Sequence, residues 1–219
     1  MIVVATHNDS ALLVEICLNL SRINLYNQKV LIVDTNSDDI VFKENFSKLS
    51  KVFKNFLFTR MDYKCWDSGA YINAYLNFPN EEKFIFLQDS LMIPDRSNFI
   101  ETSIKLLDKY DVVPWTNFQY KFDNEEQRKW AEDGLALNTY PTDAIFGPIF
   151  SVNRKTLDEL PKDWLKTPSN KNEGCAMERR WSGMFHSINA KKYYIEYSIN
   201  GDAMSYSREY ICKNYKNRE

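Results

Sequence analysis

A single carboxylate interrupts one of the most apolar stretches of the chain, KFIFLQDSLMI at residues 83–93. The apolar residues before it are typical of a buried strand, and the sequence becomes apolar again after Gln88, Asp89 and Ser90. A buried carboxylate without a partner is costly, so a cation bound beside Asp89 is one interpretation. The other is an ordinary turn at the end of a strand.

Polar residues also follow three other apolar runs. The segments IVVATHN, VLIVDTNS and FLFTR each pass from apolar to polar residues, as FIFLQDS does. If the four runs form neighbouring parallel strands, their polar ends meet at the sheet edge where ligands bind in such folds. Asp89 would then share a site with Asp34 and Asn8.

Helical patterns separate these four runs. We predict strands at 2–6, 30–33, 56–59 and 83–90, and helices over 10–25, 40–49 and 67–78. Asp9 or Ser10 is expected to cap the first helix, and Asp67 or Ser68 the third. The alternation predicts an α/β fold with a mostly parallel central sheet flanked by helices, and the continuous apolar strands fit a sheet buried on both faces.

The pattern is less regular after residue 95. We predict helices over 98–110, 121–134, from 154 onward and within 172–189, and strands over 111–118, 149–152 and 191–199. The basic tail at 208–219 is expected to fray. Because no repeat, low-complexity tract or linker divides the chain, we predict a single domain over 1–219.

Composition argues against several partners and sites. The 219 residues carry a net charge of −2 with pI ≈ 5.8, which gives no electrostatic footprint for nucleic acid. The four cysteines form no CxxC pair, so we expect reduced thiols rather than a zinc site or a disulfide framework. The apolar start MIVVA is too short for a signal peptide and no run approaches a membrane span, so we expect a cytoplasmic protein.

Three common chemistries of α/β folds lack their motifs. A dinucleotide-binding fold needs a glycine-rich turn after its first strand, and the turn here, THNDSA, has no glycine. Neither GxxxxGK[ST] nor GxSxG occurs, which argues against a P-loop enzyme and an α/β-hydrolase.

The chain resembles glycosyltransferases of the GT-A fold, particularly the family-2-like group. VVATHN is similar to that group's first strand and donor loop, and VLIVDTNSDD to its second strand with an acidic, serine-containing turn. DSGAYINAY is similar to its Gly-then-Asn helix start, and FIFLQDS to the strand that carries its DxD metal motif. The resemblance implies a GT-A-like fold, with a nucleotide-sugar donor half at 1–95 and an acceptor half at 96–219.

The resemblance also implies a divalent cation, Mn²⁺ or Mg²⁺, bound near Asp89. Gln88 and Ser90 flank Asp89, so the motif keeps one carboxylate. One carboxylate can suffice when the donor diphosphate supplies further oxygens. His186 is a candidate additional ligand, since some members use a late histidine, although a histidine at this point of a helix is also common as a structural residue.

Donor-binding residues are expected at the strand ends and at the start of the third helix, whose N-terminal amides suit a diphosphate. These residues are Thr6, His7, Asn8, Asp34, Asp67, Ser68, Gly69, Asn73 and Gln88. Asp34 would bind the base or ribose of a uridine nucleotide, unless it is a turn carboxylate. Asp67 and Ser68 could equally be simple helix caps. Arg60 and Lys64 either meet phosphates or lie in a solvated loop.

A catalytic base must come from the acceptor half. In an inverting transferase a carboxylate removes the proton of the acceptor hydroxyl. Glu178, Glu173 and Asp143 are the candidates, with Glu178 ranked first, although it could instead pair with a neighbouring arginine. Four aromatic residues could stack on a sugar or belong to the core: Trp115, Tyr120, Phe146 and Trp181.

The sequence leaves three functions open. The first is transfer of a sugar from a nucleotide sugar, for which we expect a UDP-linked donor, to a hydroxyl of a glycan or glycoprotein. The second is a binding module for nucleotide sugars or glycans that kept the fold and lost the chemistry, which the reduced Gln88-Asp89-Ser90 motif makes credible. The third is a nucleotidyltransferase, which would release pyrophosphate.

Overall fold

The computed structural model describes residues 1–8, 10–23, 28–95, 97–196 and 212–213. Its strands are β1 (Ile2–Thr6), β2 (Val30–Asp34), β3 (Phe56–Arg60), β4 (Lys83–Gln88), β5 (Leu91–Met92), β6 (Val112–Pro114), β7 (Asn117–Gln119), β8 (Asp143–Ile145), β9 (Phe150–Asn153) and β10 (Cys212–Lys213). Its helices are α1 (Ser10–Arg22), α2 (Asp39–Val52), α3 (Trp66–Asn77), α4 (Phe99–Leu106), α5 (Glu125–Glu132), α6 (Arg154–Glu159) and α7 (Lys171–Ser187), with a 3₁₀ turn at Lys162–Leu165.

The central sheet has six strands in the order β3-β2-β1-β4-β9-β6. The first four are parallel, β9 runs antiparallel to β4, and β6 runs antiparallel to β9. The register sets Thr6 beside Asp34 and Asp34 beside Arg60. The polar ends of the parallel strands therefore lie together at one edge, and the predicted mostly parallel α/β fold is confirmed.

The strands β1, β2 and β4 are buried on both faces of the sheet, and consecutive side chains point to opposite sides. Val3 and Ala5 pack in one core cluster with α3 and α7, and Ile2 and Val4 pack in the other with α1. Burial on both sides explains why these strands are apolar throughout. None of the helices in the described part of the chain is both long and apolar enough to cross a membrane.

Several predicted boundaries differ from the structure. Helix α3 starts at Trp66 with Cys65 at the cap position, so Asp67 and Ser68 lie inside its first turn and do not cap it. The predicted strand 111–118 is two strands: β6 ends at Pro114, and β7 leaves the sheet to pair with β8. Pro114 has no N–H for a ladder, and an edge strand such as β6 tolerates it.

Two predictions reach beyond the described residues. Of the predicted strand at 191–199, residues up to 196 form isolated bridges, from Lys192 to Val112 and from Glu196 to Thr116, and the rest lies outside the described residues. Asp9, a predicted cap of α1, also lies outside them, as do the last residues of the predicted helix 10–25 and most of the tail.

Candidate functional site

A cleft of about 520 Å³ opens at the carboxyl ends of the parallel strands. Its lining comes from the ends of β1, β2 and β4, the start of α3, the loop after β8, and one side of α7. The lining residues are Ala5, Thr6, His7, Thr35, Lys64, Trp66, Asp67, Gln88, Asp89, Ser90, Phe146, Gly147, Pro148, Lys171, Gly174, Cys175 and Glu178. The structure thus brings together Thr6, His7, Asp67, Gln88, Asp89 and Glu178 from the predicted set.

Asp89 is fixed to the end of β1. Its backbone N–H donates to the carbonyl of Ala5 at 3.0 Å, which continues the pairing of β4 with β1 for one residue. Its Oδ2 accepts a hydrogen bond from the Thr6 hydroxyl at 2.8 Å and from the His7 N–H at 3.4 Å. Asp89 lies in the turn between β4 and β5, as one of the two interpretations expected, and two donors hold its carboxylate at the cleft.

Asp67 and Gln88 form a second polar contact in the cleft. The Gln88 amide donates to Asp67 Oδ2, and the Ser90 hydroxyl donates to Gln88 Oε1 at 3.4 Å. Burial raises the pKa of the nearby Tyr71 phenol well above its usual value, and the charges of Asp67 and Asp89 raise it further. Tyr71 therefore remains a hydrogen-bond donor, to the Leu87 carbonyl at 3.3 Å.

The oxygen ligands in this part of the cleft fit a divalent cation that shares its coordination with a substrate. Carboxylate and amide oxygens suit Mg²⁺ and Mn²⁺. Asp67 and Asp89 both line the cleft, but the described residues contain no group of three or more His, Cys, Asp or Glu that could enclose a metal. A cation here would need further oxygens, such as those of a diphosphate.

The structure does not bring His186 to this site. His186 lies eight residues beyond Glu178 on α7, which is about 12 Å along a helix axis. Its Nε2 instead forms a 2.9 Å hydrogen bond with the Thr139 hydroxyl. The cleft-lining side of α7 ends at Glu178, and the position of His186 gives no support to a role as a metal ligand beside Asp89.

His7 and Asn8 differ in their placement although they are adjacent. His7 lines the cleft, and its Nδ1 donates to the Thr35 carbonyl at 3.0 Å. Asn8 has a left-handed backbone with φ of 55°, and its side-chain oxygen accepts from the Asp38 N–H at 2.7 Å. Asn8 therefore connects the loops after β1 and β2 and lies outside the cleft lining.

The Asp34 carboxylate is buried among partners of its own and does not line the cleft. It is 1% exposed, and its oxygens accept hydrogen bonds from the N–H of Ser37, at 3.2 Å, and from the Ser37 hydroxyl. Arg60 Nε lies 3.3 Å from Oδ2, and the Arg60 guanidinium lies 4.4 Å above the Phe42 ring. The next residue, Thr35, lines the cleft instead, as strand alternation allows.

Only the first residue of the DSGAYIN segment reaches the cleft. Ser68 is 1% exposed and accepts a weak 3.4 Å hydrogen bond from Trp181 Nε1 in the core. Gly69 is required for packing, because a Cβ there would lie 2.1 Å from Cys65 Sγ. Asn73 lies further along α3, away from the cleft lining. A donor-contact role for these three residues therefore has no support from their positions.

One side of α7 faces the cleft. Lys171, Gly174, Cys175 and Glu178 line it at the i, i+3, i+4 and i+7 spacing of a helical stripe. Glu178 Oε1 accepts a 2.7 Å hydrogen bond from the Gly147 N–H. Arg179 Nη1 lies 3.0 Å from Glu178 Oε2. Glu178 is thus a half-buried, oriented carboxylate in the same cleft as Asp89.

The other two candidate bases have structural partners outside the cleft lining. Glu173 accepts hydrogen bonds from the N–H of Ser169 at 2.6 Å and from its hydroxyl at 2.8 Å, while its own N–H donates to the cap residue Asn170 at 3.0 Å. This reciprocal arrangement caps the N-terminus of α7. Asp143, in β8, accepts from the side chains of Asn117 at 2.8 Å and Thr142 at 2.9 Å.

A second depression of about 490 Å³, here called the α5 groove, lies beside α5. It is lined by Tyr120, Lys121, Phe122, Asn124, Glu125, Arg128, Glu132, Tyr140 and Pro141. Arg179 connects it to the cleft, because Arg179 Nε donates to the Lys121 carbonyl at 2.9 Å while Nη1 pairs with Glu178.

The four aromatic residues singled out in the sequence divide into two groups. Tyr120 lines the α5 groove and Phe146 lines the cleft. Trp115 and Trp181 are fully buried in the core.

Several cleft residues were missed at the sequence level. Lys171, Gly174 and Cys175 could have been found from Glu178, because residues three, four and seven positions apart share a helix side. Trp66 carried no such signal: its backbone adopts a left-handed φ of 53°, and Gly174 packs against its ring. Thr35, Gly147 and Pro148 reach the cleft only through the packing of loops.

Comparison with known proteins places the fold. No protein-family model matches the chain, and no curated protein matches its sequence. Solved structures do match. Residues covering 88% of the chain superpose on 53% of a mannosyltransferase from Pyrobaculum calidifontis, in complex with GDP-Man and Mn²⁺, with 13% identity and a TM-score of 0.56. The same share superposes on 41% of GalNAc-T7, with UDP, GalNAc and Mn²⁺, with 13% identity and a TM-score of 0.57.

A third similar structure is TarS of S. aureus. There 90% of the chain matches 36% of TarS, with 14% identity and a TM-score of 0.51. The protein thus has the GT-A fold of nucleotide-sugar glycosyltransferases, with a six-stranded, mostly parallel sheet. It spans 36% to 59% of the length of these matched structures and of the shorter TarS form.

Proposed function

We propose that this protein is a glycosyltransferase that moves a sugar from a UDP-linked donor to a hydroxyl group of a glycan or glycoprotein, with the help of Mn²⁺. The observation that carries the proposal is the shared cleft of Asp89 and Glu178 at the carboxyl ends of β1, β2 and β4. One carboxylate comes from the donor half of the chain and the other from the acceptor half.

The donor part of the cleft supports binding of a nucleotide diphosphate. Thr35, His7 and Thr6 offer polar groups where β1 and β2 end, which is where nucleotides lie in parallel sheets. A uridine donor is supported by the ligands of similar structures: GalNAc-T7 binds UDP and GalNAc, and the TarS form binds UDP-GlcNAc, although the mannosyltransferase binds GDP-Man.

Asp89, with Asp67 in the same cleft, would hold Mn²⁺ together with the donor's phosphate oxygens. Bound Mn²⁺ would neutralise negative charge on the departing nucleoside diphosphate. The chain's own contribution is to fix Asp89 through the Thr6 hydroxyl and the His7 N–H. The two similar structures that contain Mn²⁺, the mannosyltransferase and GalNAc-T7, support this choice of metal.

Glu178 is the proposed general base. It would accept the proton of the acceptor hydroxyl while that oxygen attacks the anomeric carbon and the bond to the diphosphate breaks. The Gly147 N–H and Arg179 orient its carboxylate. Neither of the alternative bases has this placement, since Glu173 caps α7 and Asp143 is held by Asn117 and Thr142.

The α5 groove is the proposed site for the acceptor beyond the reacting hydroxyl. Its aromatic rings suit the apolar faces of sugars, and its charged and amide groups suit sugar hydroxyls. Lys121 and Arg128 balance Glu125 and Glu132, so the lining favours a neutral ligand such as an oligosaccharide. The bond from Arg179 to the Lys121 carbonyl keeps this groove next to Glu178.

A donor-release assay tests the proposal. The protein is incubated with UDP-GlcNAc, UDP-GalNAc, UDP-glucose, UDP-galactose and GDP-mannose, with Mn²⁺ or with EDTA, and nucleoside diphosphate release is measured. We expect release of UDP that depends on Mn²⁺ and is lost in Glu178→Gln. A parallel incubation with UTP and a sugar 1-phosphate tests the nucleotidyltransferase alternative, because only that activity would release pyrophosphate and form a UDP-sugar.

A non-catalytic binding module is the second candidate, favoured by Gln88 and Ser90 beside the lone Asp89 in the strand-end motif. Tight binding of UDP-sugar and Mn²⁺ by calorimetry, with no release of UDP even in the presence of oligosaccharide acceptors, would establish that candidate and reject the transferase.

A further inference from the structure

Two lysines line the cleft from different parts of the fold. Lys64 lies in the loop between β3 and α3, and Lys171 is the first residue of α7. Neither forms an ion pair with any residue in the described part of the chain. Most other basic groups near the cleft do: Arg60 pairs with Asp34 and Asp39, and Arg179 pairs with Glu178.

The two lysines offset part of the negative charge of the residues that line the cleft. Among the described lining residues, three carboxylates, those of Asp67, Asp89 and Glu178, face two lysines. One divalent cation would turn this excess of one negative charge into an excess of one positive charge. Without the two lysines, the lining residues and the same cation would together keep an excess of one negative charge, which disfavours a diphosphate.

Trp66 fixes the position of Lys64 relative to α7. The Lys64 ammonium lies 5.1 Å from the centre of the Trp66 ring, within the range of a cation–π contact. The backbone of Gly174 packs against the same ring, so closely that a Cβ there would lie 3.1 Å from Cδ2. Lys171 lies one turn before Gly174 on the same side of the helix. The contact between Trp66 and Gly174 thus joins the loop that carries Lys64 to the helix that carries Lys171.

The backbone of Trp66 agrees with a functional position. Its φ of 53° is in the left-handed region, which a bulky residue rarely adopts. Such conformations concentrate at ligand sites, where the surrounding packing maintains them.

We propose that Lys64 and Lys171 together bind the diphosphate of the donor, as a second phosphate-binding element beside the carboxylates that hold the metal. The inference rests on the proposed function for the identity of the donor. The two lysines add positive charge for the diphosphate beside that of the metal ion. This explains how a strand-end motif with one carboxylate can serve a diphosphate.

Calorimetry with three probes tests this pair of lysines, Lys64 and Lys171, here called the clamp. UDP, uridine and inorganic pyrophosphate are titrated in the presence of Mn²⁺ into the wild type and into Lys64→Gln and Lys171→Gln. We expect the Kd of UDP and of pyrophosphate to rise about tenfold in each variant, as for the loss of a hydrogen bond between charged groups, and the Kd of uridine to stay unchanged. Lys129→Gln is the matched control, because Lys129 is exposed on α5 and the substitution removes the same charge at a position outside the cleft lining.

Several outcomes decide the matter. Equal weakening of UDP and uridine, or unchanged binding of pyrophosphate in both lysine variants, would overturn the clamp. Lys64→Arg and Lys171→Arg should keep most of the affinity if positive charge is what matters, and a loss equal to that of the glutamine variants would count against it. The thermal midpoint of Lys171→Gln should stay at the wild-type value, because Lys171 has no ion pair to lose. That of Lys64→Gln should fall only slightly, because the cation–π contact it removes is at an exposed side chain.

The clamp and the transferase can fail separately. If pyrophosphate binding depends on the lysines but no nucleotide sugar releases UDP, the clamp stands and the transferase is rejected. If UDP is released from a sugar donor but the lysine variants bind UDP and pyrophosphate as the wild type does, the clamp is rejected and the transferase stands.

Discussion

The backbone N–H of Gly147 donates a 2.7 Å hydrogen bond to the carboxylate of Glu178. This contact joins the loop after β8 to the cleft-lining side of α7, and Gly147 makes it from a left-handed backbone with φ of 60°. A residue with a side chain would be strained there. The glycine therefore lets the loop aim its N–H at Glu178 and fix one carboxylate oxygen, while Arg179 holds the other at 3.0 Å.

The first prediction concerns this carboxylate. Glu178→Gln keeps an oxygen that can accept from Gly147 but removes the ability to take a proton. Turnover of a UDP-sugar with acceptor should fall about 10²–10⁴-fold, with little change in the Kd of UDP. The matched control is Glu173→Gln, five residues earlier on the same helix, which should keep its turnover. If instead Glu173→Gln is inactive and Glu178→Gln active, the base is Glu173.

The second prediction concerns the metal. Asp89→Asn retains an oxygen that can accept from Thr6 and the His7 N–H, so the thermal midpoint should remain close to that of the wild type. The gain in UDP affinity on adding Mn²⁺ should disappear, because the variant loses the charge that attracts the cation. Asp95→Asn, at an exposed carboxylate, is the control and should keep the gain. Mn²⁺-dependent UDP binding in Asp89→Asn equal to the wild type would remove Asp89 from the metal site.

The third prediction concerns Asp34. Because its carboxylate is buried between Ser37 and Arg60, Asp34→Ala should lower the free energy of unfolding by about 1–3 kcal/mol, the usual cost of leaving buried polar partners unsatisfied. Urea denaturation measures this as a lower midpoint at an unchanged slope. A variant with wild-type stability that has lost UDP affinity would show instead that Asp34 contacts the nucleotide.

The fourth prediction concerns Gly69. A Cβ at this position would lie 2.1 Å from Sγ and 2.2 Å from Cβ of Cys65, so Gly69→Ala should destabilise the fold by about 1–3 kcal/mol through overpacking. The Cys65→Gly variant lacks the opposing atoms. Gly69→Ala should therefore destabilise the Cys65→Gly variant less than it destabilises the wild type. Thermal unfolding of all four proteins gives the comparison. Additive losses would mean that the two residues do not clash.

The fifth prediction concerns the α5 groove. Tyr140 is 55% exposed and lines the groove, where Arg128 Nη2 donates to its hydroxyl at 3.2 Å. Tyr140→Ala should raise the KM for an oligosaccharide acceptor several-fold, since stacking on an aromatic ring contributes about 0.5–1.5 kcal/mol. The KM for the UDP-sugar should stay the same. Tyr193→Ala, at another exposed tyrosine outside the groove, is the control. A change in donor KM alone would argue against an acceptor role.

The strands of the first half could be predicted because each carries its own signal. A strand buried on both faces must be apolar along its length, so the runs at β1, β2 and β4 were visible without any knowledge of their neighbours. The edge strand β3 is only partly buried, but its run FLF carries the same residue types. The polar residues at their ends were predicted to share a site because ligands bind at the carboxyl edge of parallel strands. Asp89, Thr6 and His7 were found in this way.

The sequence could not show which side chains at that edge line the cleft and which are buried behind it. Asp34 and Thr35 are adjacent at the end of β2, yet one is buried against Arg60 and the other lines the cleft. The difference depends on how the loop after β2 packs on Asn8, which bonds to Ser37 and Asp38 of that loop across 29 and 30 residues of sequence.

The sequence by itself determined the α/β class, the polar edge of the sheet and the position of Asp89, because burial and strand direction leave a local pattern in residue type. Only the tertiary structure decided which carboxylate of the second half belongs to the cleft. Glu173 and Glu178 lie on the same helix and look alike in sequence. Their roles separate because Glu173 meets Ser169 at the helix cap, whereas Glu178 meets the Gly147 N–H from a loop 31 residues away. Such long-range packing leaves no periodic trace in the chain.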